Sequence, residues 1–358
     1  MKAVILVGGE GTRLRPLTYD VPKPMVPIVN KPYMEHQVDT LRRHGFDEII
    51  FALGYKSEAF EAYFGDGSRF GVRFWHVVEN EPLGTAGAVK NVESLLDDTF
   101  LVFNGDVLSG IDLTALVNLH RANGAVGTLA LTPVEDPSQY GVVVTEADVR
   151  VRSFIEKPPR ESAPTNAINA GVYVLEPSVV AAMPAGQRWM FEHQVFPTLL
   201  SEGKPLYASL SDAYWLDIGS PSRYLQASHD TLEGRAGVVL PPPTHHRVWL
   251  GSGAAIEPGA HVEGAVWIGE GSIIGSSATV IGPTVIGARC TVEPGATVTG
   301  STIWDGTVIE AGARLDRALI GRDCVVGASS FIEAEAVVGS RERLERGARV
   351  AAGQKVPA

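Results

Sequence analysis

The chain has 358 residues, of which 45% are hydrophobic and 20% are charged, and its formal net charge is −11. This length allows two or three domains, and the composition is that of an ordinary globular protein. The acidic charge argues against a nucleic-acid partner, which needs a basic face. No apolar run approaches the roughly 20 residues that span a bilayer, so we expect no membrane association.

The N-terminal apolar run at residues 3–7 is too short for the core of a secretory signal and predicts a first buried strand. The two cysteines, Cys290 and Cys324, are too few for a disulfide framework and have no metal-ligand spacing. We therefore expect two small buried side chains in a reduced compartment, and a cytoplasmic location.

The first part of the chain alternates strand-like and helix-like segments. The predicted strands lie at residues 3–7, 48–53, 72–78, 100–104, 127–131, 141–145 and 170–175. The predicted helices lie at residues 32–44, 57–64, 85–96, 113–123 and 220–233. This pattern predicts an α/β domain of Rossmann-like type at residues 1–235, with a mixed, mainly parallel sheet and helices on both faces.

A linker rich in glycine and proline is predicted at residues 236–250. Beyond it an isoleucine or valine recurs at every sixth position, as in Ile256, Val262, Ile268, Ile274, Val280, Ile286, Val292 and Val298. The register slips by one residue at Ile303 and again at Ile320. This period predicts a left-handed parallel β-helix of hexapeptide repeats at residues 251–358, with glycines at its corners. Its flat faces predict homo-oligomers.

A glycine-rich stretch at residues 8–16, GGEGTRLRP, directly follows the first predicted strand. Glycines let backbone N–H groups converge on an oxyanion, Thr12 adds a hydroxyl donor, and Arg13 adds a planar cation suited to phosphate oxygens. It is not a Walker A loop, because no lysine follows the last glycine, nor a dinucleotide fingerprint, because position 14 is leucine. Lys23, held between two prolines, adds a second cation on a restricted backbone.

The stretch GGEGTRLRPLT at residues 8–18, followed by PKPMVP at residues 22–27, resembles the signature of sugar-1-phosphate nucleotidyltransferases. The resemblance covers the whole chain and is strongest to mannose-1-phosphate guanylyltransferases, through PKP at 22–24, EPLGTAG at 81–87 and NGD at 104–106. Thymidylyltransferases instead tend to have Ser-Lys-Gln-Leu after the first loop and Leu-Gly-Asp-Asn at the third stretch. The resemblance implies transfer of a nucleoside monophosphate, from GTP first, to a sugar 1-phosphate, mannose 1-phosphate first, with release of pyrophosphate.

The catalytic residues that this resemblance implies are Arg13, Lys23, Asp106 and Asp217, with the two aspartates holding Mg²⁺. Asp106 follows a very apolar strand, and the carboxyl ends of strands are where ligands bind in open α/β sheets. Mg²⁺ prefers one or two carboxylates together with phosphate oxygens and water. The attacking phosphate oxygen is already ionised, so we expect positioning and electrostatics rather than a general base.

The resemblance also implies the residues that bind each substrate. Those expected to bind the nucleotide are Leu6, Gly8, Gly9, Gly11, Thr12, Arg13, Lys23, Glu81, Gly84, Thr85 and Asp106. Those expected to bind the sugar phosphate are Gly141, Glu156, Lys157 and Asn169. For Glu81 a plain glycine turn opening a helix is an equal interpretation. In residues 191–197, FEHQVFP, His193 and Gln194 replace charged residues common in the family, so the sugar is left open.

Three alternatives remain from the sequence. Glucose 1-phosphate with dTTP, UTP or ATP would be the substrates of a related transferase. A non-catalytic regulatory homologue would share the fold, although such relatives commonly lose phosphate-binding or metal residues. Acyl transfer by the β-helix would need a histidine base, and His261 is the one histidine within the coils.

Overall fold

The computed structural model describes residues 1–54 and 57–357. The strands of the first part are β1 (Lys2–Val7), β2 (Pro27–Ile28), β3 (Lys31–Pro32), β4 (Glu48–Leu53), β5 (Arg73–Val78), β6 (Phe100–Asn104), β7 (Val107–Ser109), β8 (Gly127–Pro133), β9 (Gly141–Thr145), β10 (Val151–Glu156), β11 (Ala167–Leu175), β12 (Leu206–Leu210) and β13 (Trp215–Asp217). The α-helices are α1 (Tyr33–Arg43), α2 (Ser57–Phe64), α3 (Gly84–Asn91), α4 (Leu113–Ala122), α5 (Pro177–Ala181), α6 (Phe196–Ser201) and α7 (Pro221–Leu232). In the described ranges, no helix has the length and apolarity to cross a membrane.

The described residues pack as two compact units that divide the glycine-rich loop between them. We call the first the sheet unit; it contains Met1–Gly9 and Gln37–Trp215. We call the second the coil unit; it contains Glu10–His36 and the chain from Leu216 onward. This division by packing therefore differs from the sequence-based division at residues 235 and 251.

The sheet unit is built on a nine-stranded mixed sheet with the order β10-β9-β11-β6-β1-β4-β5, in which β8 also pairs with β11 and β12 pairs with β8. Strands β5, β4, β1 and β6 pair in parallel, whereas β11 is antiparallel to β6 and β8. The predicted mixed sheet is confirmed, with parallel pairing concentrated in the first half of the unit. Strands β10 and β12 were not predicted.

The central strands are buried along their whole length. Ala3, Val4 and Ile5 are consecutive in β1 and each is 0% exposed. Successive residues of a strand point to opposite faces, so such a run needs cover on both faces of the sheet. The core on one face unites strand residues such as Val4 and Val102 with helix residues such as Val89. This double cover explains the apolar runs seen in the sequence.

The coil unit contains a parallel β-helix with three sheets of seven, six and six strands. Its strands are β14 (Val248–Leu250), β15 (Ala255–Ile256), β16 (His261–Glu263), β17 (Val266–Ile268), β18 (Ile273–Ile274), β19 (Thr279–Ile281), β20 (Thr284–Ile286), β21 (Thr291–Val292), β22 (Thr297–Thr299), β23 (Thr302–Ile303), β24 (Val308–Ile309), β25 (Arg314–Asp316), β26 (Leu319–Ile320), β27 (Val325–Val326), β28 (Phe331–Ile332), β29 (Val337–Val338), β30 (Arg343–Leu344), β31 (Arg349–Val350) and β32 (Lys355–Val356).

Strand pairing gives the length of each coil. Ile268 pairs with Ile286, eighteen positions later, whereas Ile286 pairs with Ile303 and Ile303 with Ile320 at a spacing of seventeen. The two register slips in the sequence are therefore two shortened coils, and the buried side chains stay in line. Ile268, Ile286 and Ile320 are each 0% exposed in the β-helix core.

The corners of the β-helix use left-handed backbone, and glycine occupies only some of them. Positive φ values occur at Gly271 (66°) and Gly295 (73°), as expected, but also at Ser277 (59°), Arg289 (54°) and Asp323 (55°). The prediction of glycine at every corner was therefore too strict, since stacking of the coils holds larger residues in the same conformation. Both cysteines are buried and free in this core, as predicted.

Candidate active site

In the sheet unit, the glycine-rich loop and Asp106 leave the same edge of the sheet. Leu6 in β1 pairs with Asn104 in β6, and the Leu6 carbonyl accepts a hydrogen bond of 2.9 Å from the Gly105 amide. Gly8 and Asp106 each lie two residues beyond this pair. Because β1 and β6 are parallel, both loops emerge at their carboxyl ends, as the sequence predicted for a ligand-binding edge.

Crowding does not explain the glycines at the start of this loop. A Cβ added to Gly8 or Gly9 would meet no atom of the described residues within 4 Å. Gly54, in contrast, packs so tightly that an added Cβ would lie 3.3 Å from the Gly8 Cα. The open side of Gly8 and Gly9 therefore leaves room for a ligand to approach the backbone, whose N–H groups were predicted to point at an oxyanion.

In the coil unit, Arg13 and Lys23 lie on two sides of Asp217. The Arg13 Nη2 atom lies 4.0 Å from Asp217 Oδ2, and the Lys23 Nζ atom lies 4.0 Å from Asp217 Oδ1. These separations are longer than hydrogen bonds, so the three charges are close without being locked to one another. Lys23 is 8% exposed and lies close to Asp217, and a buried ammonium is suited to an anionic ligand.

The backbone of the loop is fitted to Lys23. Gly11 has φ 63°, and a Cβ added there would lie 3.0 Å from the Lys23 Cβ. Thr18 donates from Oγ1 to the Gly11 carbonyl at 2.8 Å, which fixes the same turn. Thr12 and Arg13 then enter a 3₁₀ turn, Thr12–Leu14. Gly11 is therefore required by both conformation and packing, and it brings the Arg13 and Lys23 segments together.

Gly219 lies against Arg13, although it was not predicted from the sequence to belong to the site. A Cβ on Gly219 would lie 2.8 Å from Arg13 Nη2 and 2.9 Å from Arg13 Cζ. The guanidinium of Arg13 therefore rests on the bare Cα of Gly219, two residues after Asp217. The glycine is visible in the sequence, but it lies 206 positions after Arg13, so no local pattern indicates their contact.

The turn predicted to bind the base is held by a second segment of the sheet unit. Gly84 has φ 72°, and an added Cβ would lie 2.6 Å from the Trp189 carbonyl oxygen. Thr85 donates from Oγ1 to Glu192 Oε2 at 3.1 Å, and the same hydroxyl accepts from the Phe191 amide at 3.0 Å. Gly84 and Thr85 thus have structural partners in addition to the nucleotide role predicted for them.

Glu81 lies at the surface of the same turn, whereas Glu79 is the partly buried acid. Glu79 Oε2 accepts a hydrogen bond of 3.0 Å from the Leu83 amide. Burial raises the pKa of Glu79, and this hydrogen bond offsets part of that increase. Glu79 was not predicted from the sequence, where its one signal is its position directly after β5.

The residues predicted to bind the sugar phosphate gather in the sheet unit. Gly141 and Glu156 are direct partners in the β9–β10 pair, and an added Cβ on Gly141 would lie 2.9 Å from Glu156 Oε2. That oxygen is buried and has no hydrogen-bond partner among the described residues. The other carboxylate oxygen lies 3.1 Å from Lys157 Nζ, and Lys157 has left-handed backbone with φ 47°. A buried acceptor beside a cation suits a sugar hydroxyl beside a phosphate.

Asn169 and Tyr173 border the same group at the irregular part of β11. Asn169 donates from Nδ2 to the Tyr173 hydroxyl at 2.8 Å and accepts from the Gly171 amide at 3.0 Å. Burial raises the pKa of Tyr173 well above its ordinary value, and the charges of Glu192, Glu156 and Asp106 raise it further. Three carboxylates therefore surround this phenol, which stays a neutral hydroxyl.

His193 and Gln194, which replace charged residues common in the family, directly follow a retained acid, Glu192. Burial raises the pKa of Glu192, and the nearby Glu156 adds to the increase. Gln194 accepts from the Met190 amide at 2.8 Å and so caps the short π-helical turn Phe191–Val195, while His193 is exposed. Gln194 therefore has a structural role and His193 lies at the surface, whereas Glu192 is a partly buried acid that was not predicted from the sequence.

Two family models match the chain. The model described as nucleotidyl transferase matches residues 2–234, and the model of the left-handed β-helix (LbH) domain of the EIF2B epsilon subunit matches residues 245–350. These matches agree with the α/β domain and the left-handed β-helix expected from the sequence.

Curated relatives carry several enzyme names. Mannose-1-phosphate guanylyltransferase of Mycobacterium tuberculosis is 44% identical over 264 residues, which are 72% of each chain. UTP–glucose-1-phosphate uridylyltransferase of Synechocystis is 42% identical over 65% of this chain and 63% of its own. The catalytic subunit beta of the Xenopus tropicalis mannose-1-phosphate guanylyltransferase is 41% identical over 63% of each chain. The match thus spans less than two thirds of the length of the last two relatives.

Solved structures are also similar to this chain. HddC from Yersinia pseudotuberculosis, crystallised in complex with GMP-PN, is 30% identical with a TM-score of 0.56, and the match covers 64% of this chain and 99% of HddC. A Bacillus anthracis protein named a glucose-1-phosphate thymidylyltransferase has a TM-score of 0.60 at 23% identity, which supports the fold alone. With one family model matched over residues 2–234, and with the signature loop built as described, the chain belongs to the nucleotidyl transferase family as a sugar-1-phosphate nucleotidyltransferase related to mannose-1-phosphate guanylyltransferases.

Proposed function

We propose that the chain transfers a guanylyl group from GTP to α-D-mannose 1-phosphate, giving GDP-mannose and pyrophosphate. The observation that carries this proposal is the placement of Arg13 and Lys23 at 4.0 Å from the two oxygens of Asp217. Two cations held apart around one carboxylate fit a polyphosphate that also needs a metal. The choice of guanine and mannose is supported by the 44% identical mycobacterial guanylyltransferase.

In this proposal the chain works by holding charges in place. Arg13 and Lys23 bind the triphosphate and stabilise charge on the α-phosphate and on the leaving pyrophosphate. Gly8, Gly9, Gly11 and Thr12 supply backbone and hydroxyl donors to the same phosphates. A phosphate oxygen of the sugar phosphate is the nucleophile, and because it is already ionised, alignment with the α-phosphate replaces proton transfer.

Mg²⁺ is the proposed cofactor, and Asp106 and Asp217 are its proposed ligands. The donor set fits this ion, since both proposed ligands are carboxylates and Asp106 follows β6 at the carboxyl-end edge of the sheet. Mg²⁺ takes one or two carboxylates and completes its shell with phosphate oxygens and water. When bound, the ion would neutralise negative charge on the reacting phosphates.

Recognition of the two organic groups is assigned to the sheet unit. We propose that the turn with Glu81, Gly84 and Thr85 contacts the base, with Leu6 beside the nucleoside. The sugar phosphate is proposed to lie against Gly141, Glu156, Lys157 and Asn169. The free Oε2 atom of Glu156, which has no protein donor in residues 1–54 and 57–357, supports a hydroxyl as its partner.

A substrate panel tests the proposal. Pyrophosphate release is measured with GTP, UTP, dTTP and ATP, each paired with mannose 1-phosphate and glucose 1-phosphate in the presence of Mg²⁺. We expect the highest kcat/KM for GTP with mannose 1-phosphate. Preference for UTP with glucose 1-phosphate would favour the second candidate, which the 42% identical Synechocystis uridylyltransferase supports. No release with any pair would favour a regulatory homologue.

We propose a cytoplasmic enzyme that forms homo-oligomers through strand faces of the β-helix, which light scattering would test. Acyl transfer is less favoured, because His261 is exposed and its Nε2 atom lies 3.1 Å from Glu263 Oε2 at the start of the coils. Acetyl-coenzyme A binding measured by calorimetry is the direct check of that alternative.

A further inference from the structure

The coil unit contains a buried hydrogen-bond relay that ends close to Lys23. Trp304, next to β23, donates from Nε1 to the Tyr224 hydroxyl at 2.8 Å. That hydroxyl donates to the Pro27 carbonyl at 2.5 Å. The direction is fixed, because an indole N–H can only donate. Tyr224 on α7 is 0% exposed and Trp304 is 3% exposed, so neither hydroxyl nor indole has water as a substitute partner.

Pro27 is joined to Lys23 by a short and stiff backbone. Lys23–Met25 is a 3₁₀ turn in which the Val26 amide donates to the Lys23 carbonyl at 3.1 Å. The Val26 carbonyl then accepts from the Tyr33 amide at 3.0 Å. Prolines at positions 22, 24 and 27 restrict the same stretch. A shift of the Pro27 carbonyl is therefore passed on to the Lys23 side chain.

The last coils contact the other half of the same segment. Lys355 in β32 donates from Nζ to the Arg13 carbonyl at 3.0 Å. Arg341 forms an ion pair with Asp20. Together with the relay, these contacts tie the β-helix to both proposed phosphate-binding cations. In addition, Asn30 donates from Nδ2 to the Ile286 carbonyl of β20 at 3.2 Å.

One column of outward side chains on the β-helix is covered rather than solvated. Val285, Thr302, Leu319 and Val337 are in register with one another and with Lys355 at the end. They lie outside the β-helix core, yet each is at most 2% exposed. Helix α7 packs on β20 beside this column. This face of the β-helix is therefore covered by α7 and by the segment that contains Arg13 and Lys23.

We infer that this face of the β-helix positions the phosphate-binding cations, with Tyr224 and Lys355 as positioning residues for Lys23 and Arg13. The inference rests on the proposed function, in which those cations bind the nucleoside triphosphate. It predicts that weakening the contacts changes nucleotide binding specifically. A role in stability alone would instead lower the amount of active protein and leave both KM values unchanged.

Tyr224→Phe is the main test, because it removes one oxygen and keeps the ring. It leaves the Pro27 carbonyl and the Trp304 N–H without their shared partner. We expect KM for the triphosphate to rise about ten-fold, with KM for the sugar phosphate unchanged. Trp304→Phe should have a smaller effect, because the Tyr224 hydroxyl can still donate to Pro27. A fall in kcat with both KM values unchanged, or no kinetic change, would overturn the inference.

Lys355 gives a second test that does not depend on a buried site, because its side chain is exposed. Lys355→Ala should raise KM for the triphosphate about two- to five-fold, and Lys355→Arg should restore it. Arg343→Ala is the matched control. It removes an exposed cation from β30, two strands before β32, and should leave both KM values unchanged. Equal kinetics of Lys355→Ala and this control would contradict the inference, even if Tyr224→Phe fails to fold.

Direct binding separates this inference from the proposed function. Each variant is titrated calorimetrically with Mg²⁺ and the triphosphate that wild-type protein uses best, or with GTP if no pair reacts. Weaker binding to Tyr224→Phe than to wild type supports the positioning role even if the wild-type protein shows no turnover. Equal binding refutes the positioning role while leaving the transferase proposal intact. Absence of binding to wild type by all four triphosphates refutes both.

Discussion

Replacing Gly219 with alanine tests whether the Arg13 guanidinium needs the bare Cα on which it rests. An alanine Cβ would lie 2.8 Å from Arg13 Nη2, whereas ordinary contact begins near 3.4 Å. The guanidinium must therefore retreat by about 0.6 Å, and the neighbouring atoms of Arg13 at 2.9 Å and 3.0 Å move with it. Gly219 is outside the left-handed region, so alanine itself fits the backbone.

The expected size of the effect follows from the role of Arg13. Loss of a charge-assisted contact to phosphate costs about 1.5–3 kcal/mol, which corresponds to about a 10- to 150-fold decrease in kcat/KM. Protein stability should move in the other direction, because alanine has a smaller conformational entropy than glycine in the unfolded chain and adds about 0.4–1 kcal/mol where the backbone allows it. The variant should therefore be less active and no less stable.

The assay is initial-rate pyrophosphate release, run beside thermal unfolding of the same preparation. Gly110→Ala is the matched control, because its added Cβ would meet its nearest neighbour, Tyr214, at 3.9 Å and cause no crowding. We expect the control to keep wild-type kinetics. A Gly219→Ala enzyme with wild-type kcat/KM would show that the position of the Arg13 guanidinium does not matter for turnover, and the proposed role of Arg13 would have to be abandoned.

Three further predictions concern the metal, pH and the thiols. Asp106→Asn should lower kcat by about three orders of magnitude with an unchanged melting temperature; near-normal rates across a Mg²⁺ titration would refute the proposed metal site. Burial raises the folded-state pKa of Glu192 above its unfolded value, so ionised Glu192 destabilises the folded protein as pH rises above 4.5. Glu192→Gln should therefore raise the melting temperature at pH 8 and not at pH 4, and the opposite trend would contradict this sign. Burial also raises the pKa of Cys290 to about 12 and that of Cys324 to about 11, so a thiol reagent at pH 8 should react only after unfolding; rapid reaction of the native protein would contradict their burial.

The β-helix could be predicted in detail because its period is a direct consequence of its core. Each short strand buries one aliphatic side chain, so Ile268, Ile286, Ile303 and Ile320 mark the coils in the sequence itself. Even the two shortened coils were visible as slips in register. Strand β10 (VRSFIE) was missed because its polar residues follow neither strict alternation nor the continuous apolar run of the central strands.

The site was predictable where a residue lies in a local motif and not where it depends on distant contacts. Asp106 follows an apolar strand, and the sequence places it at the end of β6. Two contacts join segments that are far apart in the chain: Gly219 with Arg13, and Glu192 with Thr85. No local sequence pattern predicts either contact. Glu79 and Glu81 are two positions apart, and only the fold distinguishes the partly buried acid from the surface one.

The border between the two packing units falls between Gly9 and Glu10, which has a practical consequence for truncated proteins. A gene fragment ending at residue 235 would still encode all four proposed catalytic residues. It would nevertheless omit Trp304, which donates to the Tyr224 hydroxyl, and also Arg341 and Lys355, which contact Asp20 and the Arg13 carbonyl. If the β-helix positions the proposed phosphate-binding cations, inhibitor screening on such a fragment would therefore report on a binding site that differs from that of the full chain.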